Sequence, residues 1–79
     1  MIGQSEKCLL AMPTITAALR GESLLGAVGI YVRVVRLPAG ATKKGCAYGL
    51  ETDCALLQTA AARLEAQGVK HGELLYGDN

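Results

Sequence analysis

Two apolar stripes at helical spacing, four short runs that read as strands and a length of only 79 residues predict an α+β fold. Their order is strand, helix, strand, strand, helix, strand. This is the order of a ferredoxin-like βαββαβ sandwich, a four-stranded antiparallel sheet with two helices on one face. The length allows one domain, residues 1–79, with a core from about 7 to 76.

The first strand is Lys7-Cys8-Leu9-Leu10-Ala11-Met12, stopped by Pro13, which has no N–H to give to a ladder. Thr14 is a good N-cap for a helix whose stripe is Ala18, Gly21, Leu25 and Val28, and Gly29 suits its C-terminal end. Gly21 and Gly26 each cost this helix roughly 1 kcal/mol relative to Ala. Ile30 to Leu37 is rich in β-branched residues and forms the second strand, which Pro38 terminates. A turn-rich connection from Pro38 to Gly45 leads to a third strand, Cys46 to Glu51, weakened by Gly49. Thr52 or Asp53 then caps a second helix with Cys54, Leu57, Ala61 and Leu64 on its apolar face and Gly68 at its end. Val69 to Tyr76 supplies the last strand.

At 51% hydrophobic and 19% charged residues the chain has enough apolar surface to fold. With no Phe or Trp and three Tyr, however, Leu, Val, Ile and Ala must build a thin core. The sheet face without helices is expected to be bare, a natural site for a homo-oligomer or another partner. A net charge of +1 argues against nucleic acid as a partner. The uncharged run from Cys8 to Leu19 is too short for a membrane span and contains Pro13. Glu6 and Lys7, directly before the apolar residues, do not make a signal peptide's basic head, so a cytoplasmic location is expected. Three cysteines with no close pairing are expected to be thiols rather than a disulfide scaffold. A single His71 and the lack of a Cys-x-x-Cys exclude structural zinc, and no cofactor is expected.

With the first and third strands central, Cys46 falls near Pro13-Thr14 and the N-terminus of the first helix, while Cys8 and Cys54 fall at the opposite edge. Lys43 and Lys44 lie three and two residues before Cys46. The helix end that Thr14 caps and the two lysines favour a thiolate, and Gly45 and Gly49 make its surroundings open and flexible. Most lone cysteines are nevertheless inert, and the residues alone leave both roles open for Cys46. Cys8 lies in an apolar run and Cys54 on a buried helix face, so both read as core. His71 between Lys70 and Gly72 reads as a solvated or packed side chain. Thr42-Lys43-Lys44-Gly45 lacks the spaced glycines of a phosphate loop. Arg33 and Arg36 read as solvating a strand face.

Thr14, Ala18-Leu19, Glu22, Gly29-Ile30, Leu37-Pro38 and Cys46 after a short polar loop resemble the selenium/sulfur carrier protein-like small domains of bacteria. The family typically has Cys-Gly where this chain has Cys46-Ala47. The resemblance implies that Cys46 accepts sulfur or selenium as a persulfide or selenopersulfide and passes it to an acceptor protein. It implies a carrier served by donor and acceptor proteins, with no bound cofactor, rather than an enzyme. The alternative is a non-catalytic oligomerisation or protein-binding module that uses the open sheet face.

Overall fold

The structure, a computed structural model, describes residues 6–43 and 45–76. The elements are β1 (Lys7–Met12), α1 (Ile15–Ala27), β2 (Arg33–Arg36), β3 (Tyr48–Asp53), a 3₁₀ turn (Cys54–Leu56), α2 (Leu57–Ala66) and β4 (Leu74–Leu75). The four strands form one sheet in the order β2-β3-β1-β4, and every neighbouring pair is antiparallel. The chain is therefore α+β, with two helices against a four-stranded antiparallel sheet.

β1 sets the core by alternation. Cys8, Leu10 and Met12 are fully buried on the helix side, where Leu50 of β3 lies opposite Leu10. Leu25 of α1 and Leu57 and Leu64 of α2 complete the set of large buried side chains. Gly21, which reads in sequence as a cost to α1, is where α1 closes on its neighbours. A Cβ there would stand 3.0 Å from the Leu50 side chain and 3.5 Å from that of Leu64.

Both helices stop in the same way. At the end of α1, Gly29 has φ 84°, its N–H donates to Gly26 O, and Ile30 N–H donates to Leu25 O. At the end of α2, Gly68 has φ 75°, its N–H donates to Glu65 O, and Val69 N–H donates to Leu64 O. These are Schellman caps, which require a left-handed residue and follow it with an apolar one that packs back on the helix. Ile30 and Val69, expected in strands, fill that apolar position instead and are buried. This is one reason why β2 and β4 are shorter than the runs 30–37 and 69–76. Val28, expected in the buried stripe, is the C-cap of α1 and is 48% exposed.

Neither expected cap of the second helix acts as one. Asp53 gives its carboxylate to Lys7 Nζ at 2.8 Å across the β1–β3 pair, and the Thr52 hydroxyl faces Tyr31 O at 3.5 Å. The chain enters α2 through the 3₁₀ turn, with no side-chain cap.

The expectation of free thiols at Cys8 and Cys54 is overturned, because the two form a disulfide with a Cα–Cα separation of 4.9 Å. Register explains it. Cys8 is opposite Thr52, and Cys54 N–H donates to Glu6 O at 2.9 Å, so residues 46 positions apart in the chain become neighbours. The bond staples the start of the sheet to the entry of α2.

The face away from the helices is only partly bare. Leu37 is buried against Gly49, where an added Cβ would meet it at 3.1 Å, and Ala11 is wholly buried beside Gly72. Leu9, Val35 and Leu75 remain half-buried there.

A cross-link spanning 46 residues contributes about 4 kcal/mol by loop-closure entropy, which is comparable to the whole stability of so small a domain. Reduction of Cys8–Cys54 in a Cys46→Ser background should therefore bring the urea midpoint close to zero denaturant; an unchanged midpoint would contradict the stapling role. Gly26 has open space at its Cβ position, so Gly26→Ala should stabilise by up to about 1 kcal/mol. Gly21→Val should cost about 1–3 kcal/mol by overpacking in the same urea titration.

Candidate functional site

Cys46 is the free cysteine of the chain and lies half-buried in the connection between β2 and β3, two residues before β3 begins. Two turns build that connection. Pro38 O accepts the N–H of Ala41 at 3.1 Å around Gly40, whose φ of 81° is a conformation that favours glycine. Thr42 O then accepts the N–H of Gly45 at 3.2 Å, with Gly45 at φ 75°. Leu37 N–H donates to Ala47 O at 2.8 Å, closing the base of the loop.

Thr42 orders the approach to the thiol. It is 6% exposed, and its hydroxyl accepts the Cys46 N–H at 2.8 Å. In sequence it stands out only as part of a failed phosphate-loop pattern; a side chain-to-backbone bond four residues on is an ordinary role for Thr in a turn. Lys43 has an exposed side chain, and its backbone N–H donates to Glu73 Oε2 at 3.0 Å, which ties the loop to the segment before β4.

That segment supplies the other wall. Gly72 N–H donates to Ala11 O at 2.7 Å, and the Cys46 Sγ occupies the space above Gly72, where an added Cβ would lie 3.3 Å from the sulfur. A cleft of about 260 Å³ opens beside the thiol, lined by Pro13, Gly45, Cys46, Lys70, His71 and Gly72. A second cleft, of about 400 Å³, reaches Cys46 from the side of Arg36, Leu37 and Pro38.

His71, which reads in sequence as a solvated or packed side chain, is packed and lines the thiol's cleft. Its ring is 13% exposed; Nε2 lies 2.7 Å from Glu65 Oε2 and Nδ1 2.8 Å from Gly72 O. Both ring nitrogens face acceptors, so neither is directed at the Cys46 sulfur as a base. Among the described residues the arrangement is a free thiol with no imidazole nitrogen directed at it.

The other expected site residues are distributed differently. Pro13 does reach the Cys46 cleft, but the Thr14 hydroxyl accepts the Ala17 N–H at 3.0 Å as the N-cap of α1 and lines a separate cleft with Arg20 and Lys70. Lys44 lies outside the described residues. Gly49, expected in a flexible loop, is a buried residue of β3 opposite both Ala11 and Val35, because Leu37 needs the space its missing side chain leaves. Among the described residues no three His, Cys, Asp or Glu side chains cluster so as to hold a metal ion. No described helix is long and apolar enough to cross a membrane.

Thr42→Val removes the acceptor of a half-buried amide and should cost about 1–3 kcal/mol. Hydrogen exchange at the Cys46 amide should quicken, while Thr42→Ser should keep its protection. Equal protection in Thr42→Val and the wild type would show that the hydroxyl does not order the loop.

No curated protein and no solved structure matches the chain. One family profile does, over residues 7–75, a span that includes both helices, all four strands and Cys46. The chain belongs to the family described as Putative Se/S carrier protein-like.

Proposed function

We propose that the protein is a non-enzymatic carrier that receives sulfur or selenium on Cys46 and passes it to another protein. The observation that carries this reading is the isolation of Cys46: a single free thiol at the rim of two clefts, in a chain whose family is described by Se/S carriage. In the transfer step the Cys46 thiolate attacks the outer sulfur of a donor persulfide. The donor's S–S bond breaks, a new S–S bond forms on Cys46, the proton on the outer sulfur travels with it, and the donor cysteine leaves as a thiolate. Delivery is the same exchange toward an acceptor thiol, and selenium in the outer position gives the selenopersulfide version. Neither direction changes the overall oxidation state or requires a bound cofactor.

Several features support the reading without a catalytic base. Lys43 and Lys44 precede the thiol and add positive charge to its loop, and Thr14 caps the helix that begins beside its cleft. Gly45, in a left-handed conformation and exposed, leaves room for the approach of a donor or acceptor. The strand order β2-β3-β1-β4 supports a reading of the chain as one ferredoxin-like domain.

A second reading is favoured by one observation: Leu9, Val35 and Leu75 share the face away from the helices and remain only half-buried. Self-association or partner binding through that face would make the protein an oligomerisation module.

Incubation with a cysteine desulfurase and cysteine, followed by intact mass, separates the two. The carrier should gain whole sulfur atoms that a dithiol removes, and Cys46→Ser should gain none. Sulfur uptake and delivery undiminished in Cys46→Ser would end the carrier reading. A concentration-dependent mass unaffected by that substitution, with no sulfur uptake by the wild type, would favour the module.

A further inference from the structure

Cys46 stands where two clefts meet, and the basic and acidic side chains around it are unevenly arranged. Among the described residues the walls of the two clefts include Arg36, Lys70 and His71 but no carboxylate. The nearby acids are engaged elsewhere: Glu65 is held on His71 Nε2 at 2.7 Å, and Glu73 accepts the backbone N–H of Lys43 at 3.0 Å. His71 is committed at both nitrogens, and Arg36 lies over the Tyr48 ring, 5.7 Å from its centroid, in the larger cleft. Lys70 is exposed, makes no ion pair among the described residues, and lines the same 260 Å³ cleft as the thiol.

From this arrangement we infer that the cleft between Pro13 and Gly72 holds, as an anion, the outer atom of the persulfide or selenopersulfide formed on Cys46, and that Lys70 is the residue that binds it. The inference rests on the carrier reading for the identity of the anion, but the cleft's preference for negative charge stands apart from it. The outer chalcogen reaches Cys46 with its proton and gives it up to solvent after transfer, so the loaded Cys46 carries its negative charge on that atom. A lysine lining the same cleft orients that atom while adding no group that competes as a nucleophile at the sulfur, since an ammonium has no lone pair. The volume accommodates the tip of a donor's persulfide-bearing side chain as well as the single added atom once it is on Cys46. Gly72 completes the cleft, because any side chain there would press on the Cys46 sulfur.

The test compares alkylation of Cys46 by iodoacetate and iodoacetamide, nearly isosteric probes of which only the first is anionic. In both, the sulfur displaces iodide from carbon, so the ratio of the two rates cancels thiolate content and general accessibility. With Cys8 and Cys54 in their disulfide, Cys46 is the only thiol that reacts. The ratio, relative to that of a free small thiol, should be raised in the wild type and should fall about threefold to fivefold in Lys70→Gln, as expected for one partly screened charge in the same cleft. Lys70→Arg should restore it, high salt should flatten it, and Arg36→Gln should change it less than Lys70→Gln does. A ratio insensitive to Lys70→Gln, or equally sensitive to Arg36→Gln, overturns the assignment. Sulfur loading with an insensitive ratio removes the anion cleft and leaves the carrier; a Lys70-dependent ratio in a protein that never gains sulfur removes the carrier and leaves the anion cleft.

Discussion

The antiparallel pairing of β1 with β3, running from Lys7 opposite Asp53 to Met12 opposite Tyr48, is the constraint on which the other features depend. Side chains alternate along a strand, so this register puts Leu10 and Leu50 together under the helices and sets Ala11 beside Gly49 on the other face. At one end it brings Cys8 near Cys54 for the disulfide and aligns Lys7 with Asp53. At the other it leads the chain from Met12 into Pro13 beside the loop that precedes Tyr48, where Cys46 lies. A slip by one residue would turn the buried set outward and separate both cysteine sites from their surroundings.

A core without Phe or Trp has little dispersion energy to lose, and the structure conserves it through close approach. Gly21 lets α1 meet Leu50 and Leu64, and Gly49 lets Leu37 lie flat on the sheet. The paired Schellman caps turn Ile30 and Val69 back onto Leu25 and Leu64 and so enlarge the core with residues that would otherwise start strands. The disulfide adds what packing alone supplies poorly in a domain this small. Its position, at the far end of β1 from Cys46, separates the structural sulfur chemistry from the chemistry of the free thiol.

The site itself is a junction of three segments distant in sequence: the turn at Pro13, the loop from Thr42 to Cys46, and the run from Lys70 to Glu73. The hydrogen bonds from Lys43 N–H to Glu73 and from Gly72 N–H to Ala11 hold the three together, and that from Cys46 N–H to Thr42 orders the loop itself. The segment that carries His71 also engages both of its ring nitrogens, so the half-buried Cys46 shares its cleft with the exposed Lys70 rather than forming a cysteine–histidine pair. On the carrier reading proposed for Cys46, exchange needs little more than this, because the reacting partner brings its own activated sulfur.

The sequence by itself determined the element order, the bounds of β1, the Thr14 cap, the glycine stops of both helices and the candidacy of Cys46, because periodicity, capping and turn chemistry are local and act within a few residues. It could not show that Ile30 and Val69 serve helix ends, since a β-branched residue after a glycine suits a strand and a Schellman cap equally well. It could not pair Cys8 with Cys54, place Gly49 under Leu37 or bring His71 and Lys70 to Cys46. Those relations join residues at least 12 positions apart, and the registers of β1 against β3 and β4 and of β2 against β3 decide which of them meet. Asp53 shows the competition most plainly: locally it is a helix cap, but the register offers it the Lys7 ammonium across the sheet, and that charged partner holds its carboxylate.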